Sequence, residues 1–284
     1  MQELNKTFLD FIEIGTCDFD TEIQKDDGKV GISIDAVNFY LNRLPNKKNC
    51  IKINSGVSDY SGTIKINYVP LENIIKYNLP EFIKGCSSVN NYHPTVTKIL
   101  EEKALNNKDV TATVSVPCEP LVNILKKYRV KGFYFLKIDT EGHDYLILRH
   151  FLKNYKDKTI LPHKILFESN ALSDKKNVLD VIKLAQDIGY DLISHQGNTI
   201  LKLNIKKNRS KNFRNPNKII NYCIEEYPKG YNSQALPHGN NYEDAKNYCI
   251  KNDYAGVTFQ NGNYEVRDGK YINYSKGTIS WCYI

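Results

Sequence analysis

The segment Phe135-Leu-Lys-Ile-Asp-Thr-Glu-Gly-His-Asp-Tyr-Leu-Ile-Leu148 constrains the fold more than any other. An apolar run ends at two carboxylates, Asp139 and Glu141, and Gly142 leads into an apolar pattern at helical spacing. A buried strand that ends in acids and turns into a helix delivers charge to the open edge of an α/β sheet, where such folds bind ligands. While the strand lasts, positions 139 and 141 point to the same side.

The rest of the chain repeats that alternation. Phe8–Gly15, Val30–Ile34, Cys50–Asn54, Gly132–Ile138 and Lys164–Phe167 read as buried strands. Val37–Leu44, Thr95–Leu105, Leu121–Tyr128 (opened by Pro120), Asp144–Asn154 and Asn177–Ile188 (stopped by Gly189) read as helices. Val110–Val116 alternates like a strand with one exposed face. Val57–Val69 reads as a hairpin around Asp59-Tyr-Ser-Gly62, and Tyr190–Ser194 pairs with Thr199–Leu203 around Gly197. Strands alternating with helices predict an α/β fold: a Rossmann-like, mostly parallel sheet with an antiparallel edge strand. Residues 1–205 form this domain, 206–221 a basic linker, and 222–284 a small α+β domain rich in Tyr, Asn and Gly, with a helix at Tyr242–Asn252 and strands at Gly256–Phe259, Tyr264–Arg267 and Thr278–Tyr283.

Composition excludes several classes. No run of 18 apolar residues exists, so no membrane span is expected, and the start of the chain lacks the basic and apolar regions of a secretion signal. An intracellular, cytoplasmic setting follows. The seven cysteines show no CxxC spacing, so a zinc site is not expected; Cys249 and Cys282 leave one pairing open. The net charge is +7, with abundant Lys, Asn, Ile and Tyr, the bias of an AT-rich genome. The basic run Lys206–Lys218 reads as a solvated linker rather than a nucleic-acid surface, because no aromatic stacking motif accompanies it.

Two further constellations carry chemistry. Phe11-Ile-Glu-Ile-Gly-Thr-Cys-Asp-Phe-Asp20 is a strand, an acid and a glycine turn, the way a doubly wound sheet opens a cofactor site. Asp35 ends the second strand about 20 residues after Gly15, a spacing that suits a ribose-binding carboxylate. It equally suits an N-cap for the next helix.

Glu13-x-Gly15, Asp35, Asn54-Ser-Gly-Val-Ser-Asp59, Lys137-Ile-Asp-Thr-Glu-Gly142 and Ile165-Leu-Phe-Glu168 occur in the order found in the FkbM-type S-adenosylmethionine-dependent methyltransferases of class I, which residues 8–205 resemble. The sharpest element is Lys-Ile-Asp-x-Glu-Gly. The chain departs from the family pattern in the larger residues of Thr16–Asp20, in a first crossover with room for only a stunted helix, and in Asp35-Ala36 where Glu-Pro is common.

The resemblance implies a seven-stranded sheet and O-methyl transfer to a small acceptor, a sugar or nucleotide sugar of glycan biosynthesis. It places the S-adenosylmethionine contacts at Glu13, Gly15, Asp18, Asp35, Ala36, Ser55, Gly56 and Asp139. Asp139, Glu141, His143 and His93 are the catalytic candidates, with Glu141 the leading base. The insert Gly85–Pro94 offers Ser87, Ser88, Tyr92 and His93 to the acceptor, joined by Glu168 and Asn170. Asp139, Glu168 and Asn170 are hard oxygen ligands of the kind that hold Mg²⁺, which leaves metal assistance open. A homodimer also stays open. Two alternatives remain: a non-catalytic carbohydrate-binding or assembly module on the same fold, and a nicotinamide-dependent oxidoreductase, which the missing glycines of its fingerprint disfavour.

Overall fold

The computed structural model describes residues 8–25, 28–155, 161–208, 217–229 and 241–282. The main sheet contains β1 (Phe8–Ile14), β2 (Gly31–Asp35) and β3 (Cys50–Asn54). An insertion follows with β4 (Gly56–Val57), β5 (Gly62–Tyr68), β6 (Ser88–Val89) and β7 (Ala112–Glu119). The main sheet resumes with β8 (Gly132–Ile138), β9 (Lys164–Glu168), β10 (Tyr190–Gln196) and β11 (Asn198–Leu203). A C-terminal sheet holds β12 (Asn217–Ile224), β13 (Gly256–Gln260), β14 (Asn263–Arg267) and β15 (Ile272–Cys282). The helices are α1 (Glu22–Lys25), α2 (Asn38–Arg43), α3 (Leu71–Lys76), α4 (Pro94–Glu102), α5 (Asn107–Val110), α6 (Leu121–Lys127), α7 (Asp144–Asn154), α8 (Lys175–Ile188) and α9 (Tyr242–Lys251), with a 3₁₀ turn at Glu81–Gly85. None of them is long and apolar enough to cross a membrane.

The seven strands of the main sheet stand in the order β10-β11-β9-β8-β1-β2-β3. Strands β9, β8, β1, β2 and β3 are parallel. The antiparallel strand is β11, one in from the edge: Gly197, at φ +72, returns the chain so that β11 slots between β10 and β9. Helices α6, α7 and α8 bury Ile124, Leu148, Phe151, Val181 and Ile182 against Ile12, Ile14, Leu136 and Ile138. The adjacent residues Phe11 and Phe135 point to the other face, where α1 and α2 cover them with Ile23, Leu41 and Leu44. The first crossover holds only a four-residue helix, as its length required.

The hairpin expected over Val57–Val69 does not form. Strands β4 and β5 both pair with β7, one parallel and one antiparallel, so that Cys118 lies between Gly56 and Gly62. The pairing partner lies some fifty residues on, beyond the reach of a local turn signal. The resulting β4-β7-β5-β6 sheet packs Ile64, Ile66 and Val116 against Val37 and Tyr40. This insertion stands over the C-terminal ends of β1 and β2.

Strand β12 begins at Asn217, inside the span read as linker, and pairs along the 11-residue β15. Arg209, Lys211 and Arg214 of the basic run lie outside the described residues. Lys206 pairs with Asp268 at 2.9 Å and Lys207 with Asp191 at 2.7 Å. Cys249 and Cys282 are buried thiols, with no disulfide between them. The C-terminal sheet packs Ile219, Tyr222, Ile224 and Ile272 against Phe8 and Tyr134 of the main sheet. Tyr222 donates its hydroxyl to Asp10 at 2.9 Å.

Candidate functional site

The strand order reverses at β1, which has β2 on one side and β8 on the other. Open α/β sheets bind ligands at such a switch point, outside the carboxyl ends of the strands. Three loops are tied together there. Gly15 donates its N–H to Ile34 O at 2.9 Å, and Asp139 donates to Ile14 O at 2.9 Å. Gly15 sits at φ +77, and a Cβ on it would lie 1.8 Å from the Asp139 carbonyl oxygen, so only glycine allows this approach.

A cavity of about 300 Å³ opens at this point. Ile34, Val37, Ile64, Ile66 and Val89 make an apolar slot. Gly15, Asp35, Ala36, Ser55, Gly56, Asp139, Glu141, His143, Glu168, Ser87 and Ser88 supply the polar and small part of the lining. Glu13, Asp18, Tyr92, His93 and Asn170 do not line it, and each has another role.

Asp35 is buried, and burial pushes its carboxyl upward against three donors. Oδ1 accepts Val37 N–H at 2.7 Å; Oδ2 accepts Cys17 N–H at 2.8 Å and the Thr16 hydroxyl at 3.3 Å. The backbone of Thr16 adds a further hydrogen bond. Asp35 is not the N-cap of α2, a position Val37 holds; it fixes the turn into that helix and lines the cavity wall.

Glu13 does not line the cavity; it accepts the N–H groups of Glu22 and Ile23 and the Ser33 hydroxyl, anchoring the stunted α1. Asp18 does not line it either: it is ion-paired to Arg43 at 2.5 Å and Lys84 at 2.9 Å, which hold its carboxyl below the usual range. It fastens the first loop to the 3₁₀ turn. Tyr92 is exposed, on a loop away from the cavity.

Strand β8 ends at Ile138, so the two-residue parity does not carry Glu141 to the site. The backbone does so instead: Glu141 adopts φ +53 and Gly142 φ +97. A left-handed glutamate is strained, and such residues persist where surrounding structure over-determines them. Asp144, buried beneath this turn, accepts Thr140 N–H, the Thr140 hydroxyl and Glu168 N–H, locking the β8 and β9 ends together. Burial pushes its carboxyl up to about 6.

His93 caps α4. Its Nδ1 accepts Thr95 N–H at 3.1 Å, and its Nε2 lies 3.1 Å from Glu141 Oε2. The ring proton is thus on Nε2, pointing at Glu141. His93 is not a base, because neither nitrogen has a lone pair to spare.

The expected metal set is not assembled. Asn170 donates its amide to Glu168 Oε1 and accepts Leu172 N–H with its oxygen, so it turns no lone pair toward a cation. Asp139, Glu141 and Glu168 do converge, with ligand atoms within 4.8 Å of one another. Burial and the charges of Glu141, Asp139 and Asp144 push Glu168 up to about 8. Glu168 Oε2 is buried with no hydrogen-bond partner.

The shift has a sign that can be measured. Glu168 keeps its proton in the folded chain up to about pH 8 but loses it near 4.5 when unfolded. The folded state therefore binds more protons in that window, and stability falls as pH rises through it. Denaturation midpoints at several pH values should show Glu168→Gln flattening this decline; an unchanged slope would place the titration elsewhere.

His143 places Nε2 3.0 Å from the Ser58 hydroxyl, and burial lowers its affinity for a proton. Lys137, given no site role from sequence, lines the cavity; it donates to Asp20 O at 2.8 Å and lies 3.7 Å from Asp139. Asn54 binds the carbonyls of Asp35 and Ala36 and shapes the β2 loop. The apolar roof of Ile64 and Ile66 was visible only as alternation in β5.

The family model for the methyltransferase FkbM domain matches residues 13–192. No curated protein and no solved structure matches the chain. The matched span takes in the switch point, the insertion and the acidic β8 turn, and the protein belongs to the FkbM-domain methyltransferases.

Proposed function

We propose that the cavity binds S-adenosylmethionine and that the chain methylates a hydroxyl of a small, sugar-like acceptor. The observation that carries this reading is the Glu141 carboxylate, held at the cavity wall beside Asp139 by a strained turn. When bound, S-adenosylmethionine supplies a methyl group on a sulfonium. The lining suits it: the Asp35 carboxyl at the cavity wall is the group for the ribose hydroxyls, the Ile34–Val37–Ile64–Ile66 slot is apolar enough for adenine, and Asp139 and Glu141 complement the cation. Ser87, Ser88 and His143, also in the lining, offer hydrogen-bonding groups for the acceptor.

A sugar hydroxyl is a weak nucleophile until its proton leaves. Glu141 Oε1, the oxygen His93 does not use, accepts that proton as the oxygen–carbon bond forms. Alignment of acceptor, methyl and sulfur supplies much of the rest, up to about 7–11 kcal/mol in model systems. No metal is needed in this scheme, and activity should persist in EDTA; loss restored by added Mg²⁺ would return the metal reading.

Calorimetry with S-adenosylhomocysteine tests the cofactor. Binding should weaken by roughly 10- to 100-fold in Asp35→Asn, the effect of losing one hydrogen bond to a charged group. Tight binding of a dinucleotide instead would sink the reading. Methyl uptake by sugar nucleotides, compared with phenols, tests the acceptor. The described residues of 217–229 and 241–282 contribute nothing to the cavity lining, and their proposed role is to cover Phe8 and Tyr134 rather than to bind glycan.

A further inference from the structure

Glu141 Oε2 meets a buried histidine 48 residues away in sequence. His93 is 4% exposed and sits at the N-cap of α4, with Pro94 at the first helical position. Its Nδ1 accepts the Thr95 N–H, a bond that needs the Nδ1 lone pair. A neutral imidazole has one donor and one acceptor, so accepting at Nδ1 fixes the proton on Nε2. A doubly protonated ring would turn an N–H against the Thr95 N–H. The helix cap thus sets the tautomer, and the tautomer sets what Glu141 feels: a donor.

The same contact resembles a metal site. Cys86, His93 and Glu141 bring ligand atoms within 4.8 Å of one another. A metal would need the Nε2 lone pair, which carries the proton here. Metal-bound histidines donate from their other nitrogen, whereas this one accepts. Burial, with Glu141 and Glu168 nearby, pushes the Cys86 thiol up to about 12, so it stays protonated. The trio is a hydrogen-bonded support.

We infer that His93 is a positioning residue for the methyl transfer: locked as the Nε2–H tautomer by the α4 cap, it donates to Oε2 and aims Oε1 at the acceptor hydroxyl. This rests on the reading of Glu141 as the base. The strained φ of Glu141 lets its side chain reach back to α4, and the hydrogen bond keeps it from swinging into the cavity. The other ionisable groups around Glu141 are Asp139 and Glu168 at the strand ends, Cys86 after the 3₁₀ turn, and Lys137, which reaches Asp139.

The deciding variant is His93→Asn. Asparagine is a good N-cap and preserves the helix start, but its side chain is too short to reach Glu141. The expected result is a near-native denaturation midpoint, KM values within a few-fold of wild type, and kcat lower by roughly 10- to 100-fold, the loss of one hydrogen bond to a charged group. His93→Gln, whose longer amide can donate to Glu141, should recover part of kcat, and it serves if the asparagine variant does not fold. The proposal is overturned if the asparagine variant keeps wild-type kcat, or if glutamine recovers nothing. Glu141→Gln separates the two claims: full activity there removes the base itself, whereas an inactive Glu141→Gln beside a wild-type His93→Asn removes only the positioning role.

Discussion

Glu141→Gln should lower kcat by about 100- to 10,000-fold, the usual contribution of a positioned general base, while S-adenosylhomocysteine binding stays within a few-fold of wild type. The substitution keeps the shape and the acceptor oxygen but removes the ability to take a proton. His93 Nε2–H, 3.1 Å away, can still donate to the amide oxygen, so the turn should keep its geometry. One confounding effect is foreseeable. Protonated Glu168 leans on the Glu141 charge, and removing that charge lets Glu168 ionise more easily. The pH–rate profile will therefore change shape as well as height. Single-turnover rates measured alongside cofactor binding decide the matter: equal losses in both would make Glu141 a structural residue.

Gly15→Ala should be the most damaging single methyl group in the cofactor half of the cavity. The backbone at φ +77 costs an L-residue about 1–2 kcal/mol. The added carbon would also overlap the Asp139 carbonyl oxygen at 1.8 Å, a backbone atom that cannot step aside without moving the β8 end. Overpacking of that kind costs about 1–3 kcal/mol when it is absorbed. The expected outcome is a melting temperature lower by several degrees, at roughly 2–4 °C per kcal/mol for a chain of this size. S-adenosylhomocysteine affinity should fall further than in Asp35→Asn, because the Asp139 and Asp35 ends of the cavity shift together. A variant that binds normally would show that the strand ends can part without consequence.

The central sheet was legible because its strands are buried on both faces and read as continuous apolar runs. Cys50–Asn54 and Gly132–Ile138 have the limits read from sequence, and Gly189, at φ +117, stops α8 as expected. Pairing was less legible than strand existence. Strands β4 and β5 carry a good turn between them yet both attach to β7, a choice made by burial against Val37 and Tyr40. Strand β12 hid in a Lys- and Asn-rich stretch because only alternate residues, such as Ile219, are buried.

Among the residues proposed from sequence, those at strand ends line the cavity, while charges neutralised from a distance do not. Glu13 is satisfied by α1, Asp18 by Lys84, and Asn170 by its own turn. Nothing in the sequence around His93 reveals that Thr95 N–H decides where its proton sits.

The contact between Tyr222 and Asp10 spans 212 positions. Asp10 also accepts the Val30 N–H, so the first strand of the methyltransferase sheet is finished by a strand from the far end of the described fold. Contacts of such separation form late and slowly. A nascent chain can build β1 to β11 and still leave Phe8 and Tyr134 bare until β12 and β15 arrive. The sheet is therefore sealed only once β12 and β15 have been made, and a chain stopped before them would present an aromatic patch to chaperones and proteases.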